Sequence, residues 1–152
     1  MSIHDIVSVL LVGIGFSLSV LVHELGHAIL QKMFGLPVSM IEWGSGPRIF
    51  KFKVFEMRLI PLRGSVFPNG STLAKSKWVA LVIAAGGILA QWFGMWMIAV
   101  SHIYIIPTIN IICISYAVAA FVSLLNLIPT RNSDGYFIIK ALRRTRGMMN
   151  EK

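Results

Sequence analysis

The chain has one cysteine, Cys113, and only six acidic residues in 152. A single cysteine excludes an intramolecular disulfide, so no disulfide framework holds the chain together. Set in an apolar run, Cys113 reads as a small hydrophobe. Charge is scarce as well: 13% of residues are charged, and from Ile6 to Val22 there is none. That excludes an ordinary water-soluble domain of this length. No internal repeat and no low-complexity linker is present, which excludes a solenoid array. Four histidines are too few for the histidine-rich di-iron membrane enzymes. The N-terminus has no basic region of the kind that opens a secretory signal, so the first apolar stretch is expected to be retained.

What the chain has is hydrophobicity: 56% apolar residues and a mean hydropathy of +0.76. Both values point to an integral membrane protein of one domain, residues 1–152. Three segments are apolar enough to span a bilayer, at about 3–34, 78–106 and 108–128. Each exceeds the roughly 20 residues a helix needs to cross the hydrocarbon core. Pro107 marks the break between the last two, because proline cannot continue a helix hydrogen-bond ladder.

The formal charge of +8 suggests nucleic acid at first sight. Its distribution argues for a membrane instead, and no nucleic-acid partner is expected. All 14 Lys and Arg fall in 32–77 or 131–152, and none in the N-terminal residues or the 101–108 connection. The positive-inside rule then puts the loop and tail in the cytoplasm and the N-terminus outside. A prokaryotic plasma membrane is the expected location.

The 32–77 loop has its own pattern. Residues 38–43 and 48–62 are rich in β-branched and aromatic side chains, with Gly44-Ser45-Gly46-Pro47 between them as a turn. The expectation is a small antiparallel sheet over about 38–62, lying against the membrane surface. Pro68-Asn69-Gly70-Ser71 reads as a second turn. The tail, about 136–147, has Lys140, Arg143, Arg144 and Gly147 on one stripe and Ile138, Ile139 and Leu142 on another. That is the pattern of a short amphipathic helix on an anionic leaflet. The fold class is therefore mainly α: three transmembrane helices with a small membrane-associated β-sheet in the first cytoplasmic loop.

The chemistry sits at His23-Glu24-Leu25-Gly26-His27, near the inner end of the first span. On a helix, residues four apart face the same way, so both imidazoles can share one metal ion. Glu24 is placed to take a proton from a water on that ion. A charged group at bilayer depth costs at least about 2.5–3.5 kcal/mol on insertion scales, so a Glu there demands a use. A catalytic zinc usually has three protein ligands. Of the remaining acids, Asp5 lies outside, Glu151 is at the end of the sequence, and Glu42 and Glu56 belong to the sheet. Asp134 is left, just after the third span on the motif's side. His4 and His102, near the outer surface, read as interfacial residues. Trp78, Trp92, Trp96 and Tyr104 read as lipid-facing or interfacial anchors. Ala84, Ala85, Gly86, Gly87, Ala90 and Gly94 form a small-residue face for close helix packing.

Asn126-Leu-Ile-Pro129-Thr-Arg-Asn-Ser-Asp134-Gly135 resembles the Asn-x-x-Pro-x-x-x-x-Asp-Gly pattern of the site-2 protease family of intramembrane zinc metalloproteases. His23–His27 matches that family's first motif, and Gly44-Ser-Gly-Pro47 is similar to its turn after the first core helix. The resemblance covers about 3–142. It implies one Zn²⁺ held by His23, His27 and Asp134, with Glu24 as general base and then acid. Asn126 would hydrogen-bond substrate or a developing oxyanion, beside Pro129. The family's Gly-Pro-x-x-Asn stretch is altered here to Gly87-Ile88-Leu89-Ala90-Gln91, where Gln91 keeps an amide that would serve substrate binding or an oxyanion. Tyr136 replaces the usual second glycine after Asp-Gly. No PDZ or nucleotide-binding regulatory domain is expected.

The implied activity is intramembrane zinc endopeptidase, cutting a transmembrane or membrane-associated peptide. The partners would be that peptide and the lipid bilayer, with a regulatory membrane partner or a second copy left open. The competing reading is a catalytically silent binding, regulatory or immunity protein on the same scaffold.

Overall fold

The computed structural model describes residues 2–68, 76–101, 110–131 and 133–149, with the backbone alone at 141 and 143–149. The order is α1 (Ile3–Met33), β1 (Val38–Phe52), β2 (Phe55–Pro68), α2 (Lys77–Ser101), α3 (Asn110–Val122), a 3-10 turn (Ser123–Leu127) and α4 (Asp134–Met149). Three helical stretches are long and apolar enough to cross a membrane: Ile3–Met33, Lys77–Ser101 and Asn110–Leu127. The Pro107 break, the Asn69–Ser71 part of the second turn, His102 and Tyr104 lie outside the described residues.

The packing is inside-out relative to a soluble protein. Ile6, Val9, Leu10, Leu89, Phe93 and Ile114 are exposed, whereas the buried set is dominated by Ala28, Ala84, Ala119, Ala120, Ser17, Ser19, Ser115, Gln31 and Gln91. In water this arrangement would leave a large apolar surface to aggregate. In lipid the acyl chains cover the large side chains, and small residues let helix backbones close on one another. Gly26 and Gly86 show it: a Cβ on Gly26 would overlap the Gly86 carbonyl and stand 2.6 Å from Ala90 Cβ. Trp78 and Trp96 are exposed, as expected of lipid-facing anchors. Trp92 is partly buried, with its ring 5.1 Å from that of Phe121 on α3.

α1 starts with a capping box, in which Ser2 and Asp5 exchange side-chain and backbone hydrogen bonds. It ends in a Schellman turn. Gly35 has φ +70°, its N–H donates to Lys32 O, and the Leu36 N–H donates to Gln31 O at 2.9 Å. This turn sends the chain back along the helix it has just left. The eight steps from Gly35 to Trp43 cover about 26 Å as strand. The helix from Ser17 to Met33 covers about 24 Å. Accordingly, Trp43 Nε1 donates to the Ser17 carbonyl at 3.2 Å. The hairpin therefore lies beside the apolar middle of α1.

The turn expected at Gly44–Pro47 is corrected. β1 runs through it, and the chain reverses at Lys53–Val54, where Lys53 has φ +51°. Gly44 (φ +110°) and Gly46 (φ +82°) absorb irregularities in the pairing and curve the strand without ending it. As a result the ribbon folds onto itself. Ile41, Glu42 and Trp43 pair with Val66, Ser65 and Gly64, and they also pair with Phe55, Glu56 and Met57. The sheet runs to Pro68, past the expected limit at 62. Arg58 closes the fold by bridging Glu42 at 3.0 Å and the buried Glu56 at 2.9 Å. Both acids are thus engaged within the hairpin.

α4 is helical over Asp134–Met149, in line with the expected tail helix. The charged stripe of that tail falls mostly on side chains outside the described set.

Candidate metal centre

α1 and α2 pack side by side, and their contacts step one helical turn at a time. Ser19 meets Gln91, His23 meets Gln91 and Gly87, and His27 meets Gly87 and Ile83. The residue numbers in each of these pairings, 19/91, 23/87 and 27/83, have a constant sum, as an antiparallel helix pair requires. One stripe of α1 (Ser19, His23, His27) thus lies against one stripe of α2 (Ile83, Gly87, Gln91).

The hydrogen bonds on these stripes decide which ring nitrogens are free. His27 Nδ1 lies 2.7 Å from the Ile83 carbonyl oxygen, and His23 Nδ1 lies 2.9 Å from Gln91 Oε1. A carbonyl oxygen can only accept, so each Nδ1 must be the donor. The Gln91 amide orientation follows in the same way, because its Nε2 donates to the Ser19 carbonyl at 3.1 Å and to Ser19 Oγ at 2.9 Å. Each neutral imidazole then carries its lone pair on Nε2.

The two Nε2 atoms are 3.0 Å apart. Asp134 faces both, with Oδ2 3.2 Å from His23 Nε2 and Oδ1 3.3 Å from His27 Nε2. α4 brings Asp134 there from its first turn. Ser133 caps that helix by accepting from the Tyr136 N–H at 3.1 Å while its hydroxyl lies 2.7 Å from the Ile128 carbonyl. Gly135 lets the helix start close on the Leu127 carbonyl, where a Cβ would overlap it.

Two ring nitrogens and a carboxylate converge within 4.8 Å. A cation placed between them would be held by all three. Two further observations fit that cation. Asp134 Oδ2 is buried without a hydrogen-bond partner. A Cβ on Gly87 would stand 2.5 Å from His27 Nε2 and 2.6 Å from His23 Nε2, so the bare glycine leaves open the face toward which the lone pairs point. The donor set of two imidazoles and one carboxylate suits zinc. Each ring's Nδ1–H is tied to an oxygen, as in many zinc sites.

Glu24 is buried and points toward the hairpin. A Cβ on Gly64 of β2 would overlap Glu24 Cγ and stand 2.7 Å from its Oε1. The strand crosses the carboxylate at the one position in its vicinity that has no side chain.

Of the residues singled out from sequence, His23, Glu24, His27, Gln91 and Asp134 gather here. Gln91 spends its amide on His23 and Ser19. Asn126 is exposed in the 3-10 turn. Pro129 is exposed as well and lines an open groove of about 400 Å³ with Tyr136, Ile139 and Lys140. Ser19, the Ile83 carbonyl and Gly64 had not been singled out, and Gly87 had been read only as a packing residue. The four-residue ladder 83–87–91, matching 19–23–27, was a signal that could have found three of them.

Comparison with known proteins agrees with this geometry. The pattern of Peptidase family M50 matches residues 11–107, which include the histidine pair and the facing stripe of α2. Zinc metalloprotease RasP of Geobacillus kaustophilus is 35% identical over 81 residues, 47% of this chain and 19% of the relative. A Clostridium perfringens protein named "Putative zinc metalloprotease" is 40% identical over 57 residues, 35% of this chain and 17% of the relative. The matches thus span less than a fifth of either relative's length. With the family pattern covering well over half of its residues, and three apolar helices bearing its motif, the chain belongs to peptidase family M50, the site-2 protease family.

Proposed function

We propose that this protein is a zinc-dependent intramembrane endopeptidase, in which His23, His27 and Asp134 hold the ion and Glu24 moves protons. The observation that carries this reading is the convergence of two Nε2 atoms and the Asp134 carboxylate beside Glu24. Bound there, zinc would supply Lewis acidity toward a scissile carbonyl and make hydroxide available near neutral pH. Glu24 accepts the proton of the attacking water and returns it to the leaving amine, which keeps the proton count balanced. Asn126, at the end of the third span, is the candidate for contact with substrate.

A helical substrate shields its peptide bonds, so it must unwind before cleavage. Backbone at membrane depth needs partners for every N–H and C=O. The hairpin beside α1 can supply them by strand addition, and β2 crosses Glu24 at Gly64, which supports a clamp at that point. The distribution of Lys and Arg supports a cytoplasmic hairpin and tail and an outside N-terminus. With Cys113 replaced by Ser, a single cysteine at Lys53 should react with a membrane-impermeant maleimide only in inverted vesicles. Labelling from the outside would reverse the orientation.

Metal content of the detergent-purified protein tests the centre itself. Wild type is expected to hold close to one zinc per chain after reconstitution, and His27→Ala and Asp134→Ala are expected to lose most of it. Equal zinc in all three, or none in wild type, would sink the protease reading and favour a silent binding protein on the same scaffold.

A further inference from the structure

The two candidate metal-binding rings are held in different ways. His27 leans on a backbone carbonyl, that of Ile83, which no side-chain substitution can remove. His23 leans on a side chain, Gln91, which is 2% exposed. Gln91 is itself fixed at three points. Its amide donates to Ser19 Oγ at 2.9 Å and to the Ser19 carbonyl at 3.1 Å. Its own carbonyl accepts from Tyr116 Oη on α3 at 3.3 Å. α3 and α1 thus both hold α2 at the residue that sets the His23 ring. Ser19 is fully buried and lies one turn before His23, so it fixes Gln91 from the helix that carries the ring.

We infer that Gln91, fixed by Ser19, is a positioning residue that locks His23 in the Nδ1–H tautomer and aims its Nε2 at the metal; this rests on the zinc reading above. Gln91 does not contact the ion or the substrate carbonyl. Its Oε1 accepts the His23 proton, which leaves the lone pair on the nitrogen facing Asp134 and His27. An amide with both ends committed in this way is not free to stabilise an oxyanion, the role suggested for it by sequence. Removing a group that holds a ligand's second ring nitrogen typically weakens metal binding 10–100-fold.

The test separates the acceptor from the volume. Zinc affinity of the full chain in detergent is measured by competition with a chromophoric chelator, for wild type, Gln91→Met, Gln91→Glu, Ser19→Ala and His27→Ala. Gln91→Met keeps the bulk and loses the acceptor; about 10–100-fold weaker binding is expected. Gln91→Glu keeps an acceptor for the His23 proton but loses the donor to the Ser19 carbonyl, so it should bind zinc more tightly than Gln91→Met. Ser19→Ala should fall between wild type and Gln91→Met, since the Ser19 carbonyl remains as an anchor. A variant-free measurement accompanies these: the ¹⁵N histidine spectrum of the zinc-loaded wild type should show His23 protonated at Nδ1 and metallated at Nε2.

Gln91→Met binding as tightly as wild type, Gln91→Glu binding as weakly as Gln91→Met, or metal on His23 Nδ1 would each overturn the inference. If wild type binds zinc, His27→Ala does not, and Gln91→Met is unaffected, Gln91 alone loses its role. If wild type binds no zinc, the metal centre fails and the role of Gln91 goes with it.

Discussion

Glu24→Gln is expected to cut peptide-bond cleavage by about 10²–10⁴-fold, the usual contribution of a positioned general acid–base group. The substitution keeps the size and shape of a side chain that is tightly confined. Glu24 is 7% exposed and lies against Gly64, where not even a Cβ would fit. An isosteric amide should therefore leave the hairpin and α1 in register. What it removes is the ability to accept a proton from water and hand it to the departing amine. Zinc content should stay near the wild-type value, because the candidate ligands are His23, His27 and Asp134. The measurement is single-turnover cleavage of a transmembrane peptide in proteoliposomes, with zinc stoichiometry on the same sample. Unchanged cleavage would remove Glu24 from the chemistry. A parallel loss of zinc would instead make the carboxylate part of the ligand set.

Gly87→Ala is expected to lower zinc affinity by at least the 10–100-fold typical of a disturbed ligand orientation, without loss of helix stability. The added Cβ would lie 2.5 Å from His27 Nε2 and 2.6 Å from His23 Nε2, distances that real Cβ atoms do not adopt. The rings have little room to retreat, since Ile83 and Gln91 hold their far nitrogens. By helix propensity alone, alanine is better than glycine by about 1 kcal/mol. Stability and metal binding should therefore move apart, which a general packing defect would not produce. Thermal unfolding of the metal-free protein and chelator competition measure the two quantities. A variant that is equally stable and binds zinc as wild type does would show that Gly87 does not face the ion.

Part of the molecule was legible from residue order alone. The spans follow from runs of apolar residues, a one-dimensional property that lipid reads directly. The histidine pair follows from helix period, since residues four apart share a face whatever the helix packs against. Asp134 emerged by eliminating the other acids, and the structure places its carboxylate against both rings. The hairpin was less legible. Gly44-Ser-Gly-Pro47 has the composition of a turn, yet the chain turns at Lys53–Val54. Glycine permits positive φ but does not say whether the chain then reverses or merely bulges. Here the Ile41–Trp43 pairing with two segments of β2, closed by Arg58 on Glu42 and Glu56, decides it.

The sequence by itself pointed to a membrane chain, put two imidazoles and a carboxylate at one helix end, and indicated where a third ligand would come from. Only the tertiary structure decided the rest. It set β1 beside the middle of α1 through Trp43 and Ser17, and it laid the Ile83–Gly87–Gln91 stripe against Ser19–His23–His27. It thereby tied Nδ1 of each ring to an oxygen. The physical reason is that helix period and hydropathy act within one segment, whereas the register between α1 and α2 depends on how closely two backbones approach. Gly26 and Gly86 set that approach, and its consequences appear only when both helices are in place.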